Sequence, residues 1–255
     1  MKKIAIVTGA SSGIGREFVK LLLKGREVEE IWAVARNKEK LERLKNRFGA
    51  RIKTYSVDLS DLDAILKFGE MIKHHKPDIK YLINSAGYAK FCSYDNLSIR
   101  QTLNMIDVNC SAVVVMTLLS IPYMRRGSHI LNLSSQASFQ PLPFQNVYSS
   151  TKSFVRNYSR ALNVELKEKG IRVTVVCPGW MRTALYRRAE IGAEKTVNNF
   201  FGMTSPEQVA GKAMRDAKAG KDMSVYGFYV KASHLAAKIL PQKMMMKLWM
   251  MQQDF

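Results

Sequence analysis

The sequence is poor in cysteine, poor in acid and without a long uninterrupted apolar run. Its three cysteines, Cys92, Cys110 and Cys177, stand alone, with no CxxC and no metal-ligand spacing to His74, His75, His129 or His234. A disulfide scaffold and a zinc site are therefore not expected, and the thiols read as reduced ones in a cytoplasmic protein. The most apolar stretch, Met105 to Met124, is broken by Asp107, Asn109 and Ser111, so no bilayer span is expected. Four apolar residues, Ile4 to Val7, between Met1-Lys2-Lys3 and Thr8-Gly9 are too few for the core of a signal peptide. The shortage of acid leaves 40 Lys and Arg against 21 Asp and Glu, a net charge of +19. Such a field attracts anions of many kinds. The basic residues are spread along the whole chain without a zinc finger, an RNP-type motif or a basic arm, so a solvated basic surface is expected, with no specific nucleic acid as partner.

What is present is ordinary globular material, 47% hydrophobic and long enough for one large domain with a sizeable core. Lys3 to Val7 (KIAIV) reads as a strand that runs directly into Thr8-Gly-Ala-Ser-Ser-Gly-Ile-Gly15 and then a helical pattern from Arg16. Strand, glycine turn and helix in that order suit a dinucleotide loop. Gly9, Gly13 and Gly15 allow a tight turn and close backbone approach, with pyrophosphate at the helix N-terminus. A second strand, Glu30 to Ala35, ends at Arg36, where a NAD-binding domain commonly carries an acid for the ribose hydroxyl. A guanidinium there can take a 2'-phosphate bidentately, which favours NADP(H) over NAD(H). A surface arginine opening the next helix is the alternative, and Lys38, Lys40 and Arg16 add phosphate-directed charge or are simply solvated. Asp58, closing a third strand over Ile52 to Val57, either accepts from the adenine amino group or caps the helix that follows Ser60. Asn109, on a long helix from Leu97 toward Leu119, is either a structural bridge or part of a proton path.

The stretch Leu133 to Lys152 (LSSQASFQPLPFQNVYSSTK) carries the chemistry. His129 to Leu133 reads as a buried strand, which puts Ser135 at its carboxyl edge, where open α/β sheets bind ligands. Tyr148 and Lys152 stand at i and i+4, one above the other if the segment is helical. An ammonium about 4 Å from a phenol would lower its pKa by up to about three pH units, making Tyr148 a usable acid and base. In isolation a YxxxK pattern is more often an exposed helical pair.

Taken together, TGASSGIG at 8–15, NSAG at 84–87, Asn109, the LSS ending at Ser135, YSSTK at 148–152 and PGWMRT at 178–183 resemble the short-chain dehydrogenase/reductase family over about residues 1–230. The resemblance implies a Rossmann-like, doubly wound parallel α/β sheet of about seven strands in a single domain. It implies an NAD(P)H-dependent oxidoreductase acting on a small-molecule carbonyl or secondary alcohol. Tyr148 would be the general acid/base, and Ser135 would hydrogen-bond the substrate oxygen. Lys152 would lower the tyrosine pKa and bind the nicotinamide ribose, with Asn109 supporting a proton relay. Gly9, Ser11, Ser12, Gly13, Ile14 and Gly15 would line the phosphates, and Asp58 and Leu59 the adenine. Asn84, Ala86 and Gly87 would meet the middle of the cofactor, and Pro178, Gly179 and Thr183 the nicotinamide end. Residues 184–204 would form a substrate lid, and the helices near 97–120 and 148–168 a homodimer or tetramer face. NSAG departs from the usual NNAG only at a turn position.

Met223 to Val230 reads as the last strand. Beyond it, Lys231 to Phe255 is an apolar, basic extension holding Leu235, Ile239, Met244, Met245, Leu248, Trp249 and Met251 beside Lys238, Lys243 and Lys247. It is expected to dock on its own domain, border an apolar substrate site, or make peripheral contact with an anionic membrane. Two alternative functions stand beside the general one: a lipid-directed reductase of ketoacyl, ketosphingoid or steroid substrates, and a non-catalytic NADP(H)-sensing protein.

Overall fold

The computed structural model describes residues 1–183, 185, 189, 197 and 199–253. Seven parallel strands form one sheet: β1 (Lys3–Thr8), β2 (Glu30–Ala35), β3 (Ile52–Ser56), β4 (Asp78–Asn84), β5 (His129–Leu133), β6 (Arg172–Val176) and β7 (Met223–Ser224). Their order is β3-β2-β1-β4-β5-β6-β7. The strand order therefore reverses between β1 and β4, and the crevice this opens at their carboxyl ends is where such sheets hold ligands.

The strands are nearly all apolar because both faces of the sheet are covered. Ala5, Val7, Ile31, Ala33, Ile83 and Leu131 face α1 (Gly13–Gly25) and α2 (Lys38–Phe48), with Val209, Ala213 and Ala217 of a later helix closing the same layer. Ile4, Ile6, Trp32, Val34, Leu82, Ile130 and Val173 point the other way. They meet Ile65, Phe68 and Ile72 of α3 (Leu62–His75), and a second group from α5 (Ala112–Ser120) and α6 (Asn146–Glu165), while α4 (Ile99–Ile106) buries Met105 in a separate cluster. The later helices are α7 (Pro206–Lys218), α8 (Phe228–Ile239) and α9 (Gln242–Gln252).

The structure corrects or decides between several sequence expectations. The last strand is two residues long, not eight. It pairs only through Met223 with Val175 and Ser224 with Val176, and Pro178, which lacks an N–H, ends what the neighbour can offer. Gly227, at φ 92°, then turns the chain into α8. The helix after β3 is capped by Asp61, whose carboxylate accepts from the Asp63 and Ala64 amides at 2.9 and 3.2 Å. Asp58 instead closes a local turn on the Ser60 amide and hydroxyl. The long helix runs through Asp107, Asn109 and Ser111 as expected, by way of a π-helical turn, Asp107–Ser111, joining α4 to α5, but these polar residues do not make it too polar for a span. The continuous helix Ile99–Tyr123 is long and apolar enough to cross a membrane by length and composition, at mean hydropathy 1.7, but half of that stretch is buried inside the fold. Finally, the extension folds back as α8 and α9, and Met245 and Trp249 are buried.

Candidate active site

The glycine turn is built so tightly that side chains are excluded by backbone. A Cβ on Gly9, where φ is 67°, would lie 2.9 Å from the Ala86 nitrogen, and one on Gly15 would lie 2.4 Å from the Gly9 carbonyl oxygen. The NSAG segment is tied to the end of β1: the Thr8 hydroxyl accepts from the Ser85 and Ala86 amides at 3.0 and 3.1 Å, and the Ser85 hydroxyl donates to the Thr8 carbonyl. The second position of NSAG is therefore a strut between β1 and β4 as well as a turn residue.

In front of this turn lies a crevice of about 690 Å³. Gly9, Ser11, Ser12, Gly13, Ile14 and Gly15 line one side, and Arg36, Asp58 and Leu59 one end, with Asn37 and Lys40 beside them. Ala86, Gly87 and Thr183 line the part nearer the sheet centre. A crevice of that size, with glycine backbone and a helix N-terminus on one wall and cations at one end, fits an extended phosphorylated dinucleotide. Burial pushes the Asp58 carboxyl up, but the Ser60 amide and hydroxyl and the Arg36 charge outweigh it and hold the pKa below the ordinary value. Asn84 does not line the crevice. It is buried, its amide donating to Thr117 Oγ1 and Asn132 Oδ1 at 3.1 and 2.9 Å, so it braces β4 against β5 and α5.

A second cavity, about 80 Å³, opens from the first through shared walls at Ile14, Gly87, Met181 and Thr183. Ser135, Tyr148 and Lys152 all line it, with Pro178 and Gly179 opposite. Ser135 sits just past the end of β5, and α6 presents Tyr148 and Lys152 from one face. The Ser135 oxygen also accepts from the Ala137 amide at 3.1 Å, which fixes its position.

The electrostatics differ from the simple expectation. Burial is the largest influence on Tyr148 and raises its pKa, opposed by a hydrogen bond from Ser135, so the phenol is held protonated. The lysine Nζ lies 5.8 Å from the Tyr148 ring centre and donates to the Leu133 carbonyl at 3.0 Å. Burial without a carboxylate partner lowers the Lys152 pKa to about 8.

Asn109 is wholly buried in the π-helical turn and lines neither cavity. Its side chain donates to the Tyr88 carbonyl and Thr151 Oγ1 at 3.0 and 3.1 Å and accepts from the Tyr88 amide at 3.1 Å. It thus clamps the irregular segment after Gly87 to α6. Both arms of that clamp stand next to the site, since a Cβ on Gly87 would meet Asn109 Oδ1 at 2.9 Å and Lys152 Nζ at 3.2 Å.

The lid expected over 184–204 falls largely outside the described residues. Within it, Asn199 donates from its backbone to Gln253 Oε1 at 3.1 Å and from its side chain to the Gln252 carbonyl at 2.7 Å, so the end of α9 holds this segment. The same helix sends Trp249 into the smaller cavity, its indole N–H donating to the Pro143 carbonyl at 3.1 Å. Phe91, Leu142, Gln136, Gln145 and Trp180 also line this cavity and had no sequence signal of their own, because long-range packing alone brings them there.

This fold and its paired cavities define a nicotinamide dinucleotide-binding class of α/β protein. The sequence pattern of the family described as short chain dehydrogenase matches residues 3–193. An uncharacterized oxidoreductase of Staphylococcus epidermidis is 31% identical over 220 residues, covering 82% of this chain and 94% of its own. SadH of Mycobacterium tuberculosis, named as an oxidoreductase, is 29% identical over 250 residues, covering 93% and 91%. A short-chain dehydrogenase from Sphingobium yanoikuyae in complex with NADPH superposes with a TM-score of 0.79 at 25% identity, covering 95% of each chain. The closed form of a serine dehydrogenase complexed with NADP+ gives 0.75 at 27% identity, covering 88% of this chain and 94% of that one. The chain belongs to the short-chain dehydrogenase/reductase family of oxidoreductases.

Proposed function

We propose that this protein is an NADP(H)-preferring oxidoreductase that interconverts a carbonyl and a secondary alcohol on a compact small molecule, with Tyr148 as the acid and base. One observation carries the reading: Ser135, Tyr148 and Lys152 open on a cavity continuous with the glycine-turn crevice. Bound in that crevice, the nicotinamide would give or take the hydride. The protein's own share is the proton. A buried phenol kept protonated is in the donor state, which suits reduction: Tyr148 gives its proton to the carbonyl oxygen while Ser135 holds that oxygen by a hydrogen bond. The Lys152 ammonium then stabilises the phenolate left behind. Arg36 and Lys40 at the far end of the crevice support a 2'-phosphate on the ribose.

The smaller cavity, walled by Phe91, Leu142, Trp180 and Trp249, favours a compact substrate over a long-chain lipid or a steroid. Tyr148→Phe tests the assignment. The variant should bind NADPH as the wild type does, by fluorescence titration, and lose turnover by about 100-fold or more on a ketone panel. Near-wild-type turnover would rule out the acid/base role.

A second reading concerns the surface. Residues 227–253 contain no Asp or Glu, and Phe228, Lys231, Leu235, Lys238 and Ile239 form an exposed stripe on α8, as Met244, Lys247, Leu248 and Met251 do on α9. Lysines interleaved with exposed apolar residues suit peripheral contact with an anionic bilayer. Leu235→Glu with Met251→Glu should abolish sedimentation with phosphatidylglycerol vesicles, and equal recovery with neutral vesicles would refute the contact. The exposed Ile99, Leu103, Leu118, Phe154 and Val164 on α4 to α6 support a homodimer.

A further inference from the structure

The smaller cavity holds more polar capacity than the reaction needs. Gln145 is 2% exposed, lies one helical turn before Tyr148 and lines the cavity, yet its Nε2 has no hydrogen-bond partner among the described residues. Gln136, next to Ser135, lines the same cavity, and its Oε1 is likewise buried without a partner among the described residues. Gly179 makes room for that carbonyl: a Cβ there would lie 3.2 Å from Gln136 Oε1. Leaving a buried amide unpaired is costly, and native structures avoid it unless something else satisfies the group. Two such amides on residues that line one cavity with Ser135 and Tyr148 are what a site made for a polar ligand looks like before the ligand arrives.

We propose that Gln145 and Gln136 read a second oxygen function on the substrate, a hydroxyl or carbonyl on the carbon next to the reacting one, so that the natural substrates are α-hydroxyketones, α-diketones or vicinal diols with a small apolar remainder. The inference rests on the oxidoreductase assignment above. Gln145 supplies a donor to the neighbouring oxygen, and Gln136 supplies an acceptor to its hydroxyl proton when there is one. Both amides are neutral, and Lys152 is turned to the Leu133 carbonyl, so the recognised group is an uncharged oxygen and not a carboxylate. The aromatic walls and the small volume put the second oxygen adjacent to the first. A ketone lacking the neighbouring oxygen would bury both amides for nothing in return, and the site would discriminate against it.

The test compares NADPH-dependent reduction of acetoin with butanone, and of hydroxyacetone with acetone, in wild type, Gln145→Leu and Gln136→Leu. Wild type should prefer the oxygenated member of each pair by about 10- to 100-fold in kcat/KM. Gln145→Leu should erase that preference by slowing the hydroxyketones while butanone changes by less than about two-fold, with NADPH affinity intact. Because the substitution removes an unpaired buried amide, it should also raise the melting temperature of the ligand-free protein, which loss of a structural hydrogen bond would lower. Equal rates on both members of each pair, an equal drop on both in Gln145→Leu, or no turnover of any of the four by a wild type that binds NADPH would overturn this substrate class. Failure of the wild type to bind NADPH at all would instead overturn the oxidoreductase reading itself.

Discussion

Replacing Lys152 with methionine should stabilise the protein while destroying its chemistry, and the gain should depend on pH. Lys152 is 5% exposed with no carboxylate beside it among the described residues, and burial lowers its pKa from 10.5 to about 8. In the unfolded chain the amine keeps its ordinary value, so between those two values the unfolded state binds more protons than the folded one. Stability then rises with pH across that window. Below the folded pKa the handicap is fully present, about 3 kcal/mol from 1.36 kcal/mol per pKa unit, and by about pH 9.5 it has shrunk to about 1 kcal/mol. Methionine has similar length and no charge to bury, but it leaves the Leu133 carbonyl without the 3.0 Å hydrogen bond, returning about 1 kcal/mol. The expected net gain near pH 7 is about 2 kcal/mol, or about 4–8 °C in melting temperature for a chain of this size. Near pH 9.5 it should fall to about zero. Calorimetry of both proteins at both pH values measures the difference, and other titrating groups cancel between them. A variant less stable than wild type near neutrality, or a gain that does not change with pH, would show that the lysine is not held under strain of this kind. Turnover should vanish in either event, the usual opposition between a stable site and an active one.

Two more substitutions probe the ends of the site. Arg36→Asp should weaken NADPH by about 10-fold or more relative to NADH, measured as the ratio of the two dissociation constants, since it exchanges an attractive charge for a repulsive one at the crevice end; an equal loss for both cofactors would refute the phosphate role. Trp249→Ala removes a side chain that is 5% exposed and hydrogen-bonded to Pro143, so it should lower stability by about 3 kcal/mol in urea denaturation and admit bulkier ketones, and an unchanged substrate profile would detach α9 from the site.

The stretch carrying Ser135, Tyr148 and Lys152 was legible because its logic is local. The strand His129–Leu133, the serine two residues beyond it and the tyrosine and lysine one helical turn apart follow from periodicity and spacing, and the structure sets all three side chains on one cavity. Arg36, Asp58 and Leu59 were legible for a similar reason, since the carboxyl ends of parallel strands share one edge. Asn84 was misplaced because a residue at a strand end faces either the crevice or the neighbouring strand, and only pairing with β5 decides between them. The length of β7 was misjudged because an edge strand extends only as far as its neighbour offers partners.

The sequence by itself determined the parallel sheet, the glycine turn and the choice of Ser135, Tyr148 and Lys152 as the candidate site, since each depends on residues close together along the chain. The tertiary structure alone decided the ionisation of that pair and the shape of what it can act on. Burial is a property of everything packed around a group. It raises the phenol's pKa and lowers the lysine's, whatever their spacing suggests. It also seals the cavity with Trp249, which lies about a hundred residues along the chain from the tyrosine it faces.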